Sequence, residues 1–119
     1  MKSFWNDRGS GVASDAPIEV TLERAGIIWS DELRGVEGNF FGLVDDHGNT
    51  IQFYFTEGIP DHVEDAHHLR IVLMDFPRAD EKGSYGRVVA IGEVHSLIER
   101  AFAVGADFRN YGALEFSPW

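Results

Sequence analysis

Two apolar runs flanking a five-residue turn constrain this chain more than any other feature: Asn39–Val44 (NFFGLV), then Asp45-Asp46-His47-Gly48-Asn49, then Thr50–Thr56 (TIQFYFT). Asp, Gly and Asn in the middle reverse the chain readily, and the flanking runs are aromatic and β-branched, so the segment predicts an antiparallel hairpin. In the second arm Ile51, Phe53 and Phe55 fall on one side, while Thr50, Gln52, Tyr54 and Thr56 fall on the other. A strand of that period buries one face and wets the other, which commits much of the remaining chain to covering one side of a sheet.

The rest of the sequence supplies partners for the hairpin. Leu69–Phe76 (LRIVLMDF) is apolar at odd and even positions alike and predicts a central strand covered on both faces. Pro77–Lys82 reads as a polar turn and Ser84–Ile91 as the next, antiparallel strand. Pro17–Leu22 alternates Ile18, Val20 and Leu22 with Glu19 and Thr21, the period of a half-buried strand. Residues 26–34 (GIIWSDELR) fit a strand or a short helix starting at Ser30. Within Gly92–Gly105, Val94, Leu97, Ile98, Ala101 and Phe102 form one helical stripe, with Gly105 placed to cap it. Leu114–Phe116 suits a short edge strand, and residues 1–16, rich in Gly, Ser, Asp and Ala, read as a loosely held lead-in from which Phe4 and Trp5 can dock. The expectation is one α+β domain over residues 1–119, an antiparallel sheet of about five strands with one principal helix from the C-terminal half packed on one face.

Charge narrows the classes of function. Twenty acids against ten Lys and Arg give a net charge of −10, which opposes binding to nucleic acid or to an anionic membrane surface. Residues 31–65 hold Asp31, Glu32, Glu37, Asp45, Asp46, Glu57, Asp61, Glu64 and Asp65 against Arg34 alone, so the excess of acid is concentrated there. A field of that kind draws a basic partner. The chain has no cysteine, which excludes thiol catalysis, thiolate zinc sites and disulfides. It shows no signal-like apolar region and no run of about 18 apolar residues, and so is expected to be cytoplasmic.

No catalytic set is spelled out by spacing. His62, Glu64, Asp65, His67 and His68 crowd one window and include metal-ligand types, but His62 and His67 are five apart, which matches neither a helical nor a strand ligand pair. The segment reads as a solvated loop, with a metal or small-ligand site at His62, His67 and His68, in a stand-alone and homodimeric domain, as the alternative. Asp75 in an apolar strand and His95 early in the helix are the nearest approach to an acid/base pair, and an Asp at a strand end also caps turns. No cofactor is called for by any motif. The remaining candidates are surface residues: Asp45, Asp46, Tyr54, Glu57, Asp61, Glu64 and Asp65 combine acid with an aromatic on the polar side of a strand, while Trp29 is divided between surface and core.

The hairpin NFFGLVDDHGNTIQFYF, the strand LRIVLMDFP and the helix GEVHSLIERAF, set in a small acidic chain without Cys, resemble the small immunity proteins of bacterial polymorphic toxin, contact-dependent inhibition and type VI effector systems. The resemblance covers roughly residues 38–119. It implies a cytoplasmic, non-catalytic inhibitor that presents carboxylates to the basic active-site cleft of a cognate toxin.

Overall fold

The computed structural model describes residues 1–119. Eight strands form one antiparallel sheet: β1 (Lys2–Asp7), β2 (Ser10–Val12), β3 (Ile18–Glu19), β4 (Phe40–Val44), β5 (Thr50–Phe55), β6 (Val72–Arg78), β7 (Gly83–Val89) and β8 (Glu115–Pro118). Their order is β2-β1-β4-β5-β6-β7-β8, with β3 sharing the outer edge of β1. Two helices, α1 (Leu22–Ile27) and α2 (Val94–Val104), complete the α+β architecture. The sheet is wider than the five strands expected, and a second helix joins α2.

The hairpin forms as the alternation requires. Phe41 pairs with Phe53 and Leu43 with Ile51 on one face, where all four are fully buried. Phe40 pairs with Tyr54 on the other, and Tyr54 is exposed. β6 continues the buried face with Val72, Met74 and Phe76, and both helices cover it through Ala25, Val94, Ile98 and Ala101. Trp29, just beyond α1, belongs to this core: its indole stacks on Phe55 at 5.3 Å and 4°.

Three expectations require correction. Residues 1–16 are not a loose lead-in: β1 pairs with β4 along five positions and the Ser3 hydroxyl, fully buried, donates to the Gly42 carbonyl at 3.1 Å. The Phe4 ring lies over Gly42, where any β-carbon would overlap it, so glycine is required there. Pro17–Leu22 keeps only two residues of strand, because the Thr21 hydroxyl accepts from the Arg24 amide at 3.1 Å and starts α1 before Ser30 is reached. After Ile27 the backbone widens into a π-helical turn over Ile28–Glu32. Finally, β6 is covered on one side only, and it runs through Pro77. The proline costs no ladder bond to β5, because the paired register there ends at Gln52 and Asp75.

The face assignment predicts unequal substitutions in β5. Phe53→Ala should cost about 3–5 kcal/mol as a core truncation. Gln52→Ala, which removes one bond of its Nε2 to Asp75 (3.0 Å) on the uncovered face, should cost about 1 kcal/mol. Denaturant unfolding of both variants reads the difference; equal losses would reverse the faces.

Candidate functional site

One end of the sheet gathers two stretches that are far apart in sequence, the π-helical turn with the residues that follow it (28–38) and the 57–68 loop between β5 and β6, beside the start of α2. Asn39 anchors the first of these, at Arg34, to the end of β1. Its buried amide donates to Asp7 Oδ1 (2.8 Å) and to the Arg34 carbonyl (2.9 Å), and its oxygen accepts from the Arg8 amide (2.9 Å), so every polar atom of the side chain is engaged. The Ile59 amide donates to the Gly35 carbonyl at 2.9 Å, and the Ile59 side chain fills the space a β-carbon on Gly35 would need. The far end of the loop is tied to the start of α2 by the Ile91 amide on the Leu69 carbonyl (3.0 Å) and the Gly92 amide on the His67 carbonyl (2.9 Å).

These ties enclose an open cleft of about 490 Å³. Trp29, Leu33, Phe55 and Ile59 form its apolar floor, Glu64, Asp65 and His67 its rim, and Ser30 and His95 one wall. The Ser30 hydroxyl lies 2.8 Å from His95 Nε2, a contact that joins the π-helical turn to α2 across 65 positions and that no spacing rule could find. The imidazole's Nδ1 faces Gly26 rather than a carboxylate, so the pair lacks the third group that orients a catalytic histidine.

The electrostatics are one-sided. Arg34 turns away from the cleft to Asp7, with Nη2 to Oδ2 at 3.1 Å, and that guanidinium holds the Asp7 carboxyl below the usual carboxylate range. Arg24 pairs with Glu32. Asp31, Glu37, Glu57, Asp61 and Glu64 are exposed and have no cationic partner.

The residues singled out by sequence therefore divide into three places. Glu57, Asp61, Glu64 and Asp65 lie at the cleft end, where the Asp65 carboxylate also accepts from the His67 amide at 3.0 Å. Tyr54 stands on the uncovered face of the sheet, beside Phe40 and Leu73. Asp45 and Asp46 sit at the other end of β5, roughly 20 Å away at about 3.3 Å per residue. Asp45 is not a free acid: Oδ1 accepts from the His47 and Asn49 amides (both 2.9 Å), and Oδ2 from Asn49 Nδ2 (3.1 Å) and the Ala106 amide (2.8 Å). It shapes the hairpin turn and fastens it to the chain after α2. Asp75 bonds to Gln52 on the uncovered face, so the sheet separates it from His95 and no acid/base pair forms. His62, His67 and His68 do not assemble with any acid into a group of three able to hold an ion. No helix is long and apolar enough to cross a membrane.

Comparison of the chain with protein-family models, with curated proteins and with solved structures finds no match. The geometry of the cleft is therefore what bears on function.

Asp45 also sets a pH dependence. Burial pushes its carboxyl up, but the amides of Ala106, Asn49 and His47 and the Asn49 side chain outweigh burial and leave it lowered. A carboxylate with a lowered folded-state value stabilises the fold above about pH 4, and that stability is lost as pH falls through the folded value. Asp45→Asn should lower the melting temperature at pH 7 and flatten its fall between about pH 4 and pH 2. Melting curves that stay parallel to wild type across that range would contradict this role.

Proposed function

We propose that this protein is a non-catalytic binding domain that receives a basic protein at its acidic end. The observation that supports the reading best is the gathering of uncompensated carboxylates from two distant chain segments, 31–37 and 57–64, around a cleft with an aromatic and aliphatic floor. Carboxylates alone draw a cation weakly through solvent. A floor of Trp29, Leu33, Phe55 and Ile59 adds apolar contact for the aliphatic stem of an arginine or lysine whose charged head reaches Glu64 and its neighbours. Only the acids at this end take part: Asp45 is occupied by its own turn and Tyr54 faces elsewhere.

A partner suited to this surface carries a cationic cleft or projecting basic side chains, which is what the active site of a nucleic-acid-degrading toxin presents. In this reading the protein is a cytoplasmic immunity protein that neutralises its cognate bacterial toxin by covering that surface.

The test begins with capture of a stoichiometric basic partner from cells that encode the protein. Its association rate should fall steeply as salt rises, and Asp61→Lys with Glu64→Lys should slow it by about tenfold or more. Glu99→Lys with Glu115→Lys changes net charge equally and lies away from the cleft. If that control pair slows association as much, overall charge rather than the cleft end governs binding.

A further inference from the structure

The arginines divide sharply. Arg24, Arg34, Arg70, Arg78 and Arg109 each pair with a carboxylate. Arg8, Arg87 and Arg100 do not, and in a chain of net charge −10 that is unexpected, since acids outnumber bases two to one. Arg8 is exposed on a turn, whereas Arg87 and Arg100 line the same pocket, one from β7 and one from α2. No Asp or Glu lines that pocket.

Its other walls are uncharged polar groups and an aromatic ring, and of these the Ser96 hydroxyl already donates to the Glu93 carbonyl at 2.8 Å. Ser96, Asn110 and Gly112 contribute polar groups. Gly112 has φ +79° and its amide has no acceptor in the protein, whereas the Asn110 and Tyr111 amides before it donate to the Asp107 and Phe108 carbonyls (both 3.1 Å), so one backbone donor is left for the pocket. Arg100 is held in place: Nε donates to the Asn110 carbonyl (2.9 Å) and the guanidinium lies over the Tyr111 ring at 5.6 Å, leaving its two terminal nitrogens uncommitted. The Tyr111 hydroxyl donates to the Gly105 carbonyl at 2.7 Å, so the tyrosine fixes the wall without competing for a ligand. Arg87 is half-buried and bonds to nothing. A guanidinium partly removed from water and left unpaired is costly unless an anion joins it.

We propose that the pocket between β7, α2 and the 110–112 turn is an anion site that binds the phosphate group of a small phosphate monoester. Two guanidiniums from separate elements match a group with three non-bridging oxygens, and the about 340 Å³ of space leaves room for a small organic portion against Tyr111. The site is independent of the acidic end. His95 faces α1 at the cleft, whereas Arg100 on the same helix faces the 110–112 turn.

The test uses the whole protein with inorganic phosphate and with ribose 5-phosphate, at constant ionic strength, against chloride and acetate. Both phosphates should shift the amide resonances of Ser96, Arg100 and Gly112 in a saturable manner, the ester more tightly, while chloride and acetate do not. Arg87→Gln should weaken binding at least tenfold, and because the Arg87 side chain makes no bond in the protein and its backbone pairing in β7 is untouched, the fold should survive. Arg8→Gln should leave binding unchanged. Tighter binding of inorganic phosphate than of the ester would overturn the monoester assignment. Absence of saturable shifts, or binding that Arg87→Gln leaves intact, would overturn the site itself.

Discussion

Burial of one face of the sheet, and only one, is the constraint on which the molecule depends. Phe41, Leu43, Ile51, Phe53, Val72, Met74 and Val89 are all fully buried on that face, each worth about 1.5–3 kcal/mol if of Val, Leu, Ile, Phe or Met type. Both helices are spent covering it. The opposite face is left with Phe40, Tyr54, Leu73 and Val88 in one cross-strand row, and Phe4 folded over Gly42. Because every crossing between the two layers must turn at an end of the sheet, the loops collect at the ends, and one end receives all the acids of residues 31–65 except Asp45 and Asp46.

What could be read in the sequence follows from how local its cause is. The hairpin was legible because period-two alternation and turn chemistry both act within a few residues, and α2 because its stripe spans three turns. β1 was not legible. Phe4 and Trp5 point to opposite faces, and the pairing that orders them comes from β4, more than thirty positions away. α1 is hidden in the sequence because the alternation of Ile18, Val20 and Leu22 reads as strand up to its first residue and Gly26 with Ile27 disfavours a helix, an objection overridden by the Thr21 cap and the burial of Ala25 against the sheet. The acidic count of residues 31–65 was visible, but its division was not. The roughly 20 Å length of β5 carries Asp45 and Asp46 away from the rest. Hydrogen bonds to the Asn49 and Ala106 amides then convert Asp45 into a structural group.

The paired and unpaired charges give the surface two distinct characters. At the cleft end Arg34 is diverted to Asp7 by the Asn39 network, so the only base in the acidic segment does not neutralise it. On the other side of α2, Arg87 and Arg100 stand without acids. Neither arrangement is visible from composition, since both depend on which side chains the sheet register and the α2 crossing bring together. The first suits a basic macromolecule and the second a small anion, and each is held in position by buried or bonded neighbours rather than by its own charge.

The central claim is that a basic partner lands on the cleft end, and amide hydrogen exchange of the protein, free and in complex with the captured partner, tests it most directly. Slowed exchange at residues 31–38 and 57–68, with residues 45–49 unchanged, is the result predicted. Protection confined to the uncovered face of β5 and β6 or to the 45–49 turn, with the 57–68 loop exchanging as in the free protein, would contradict it.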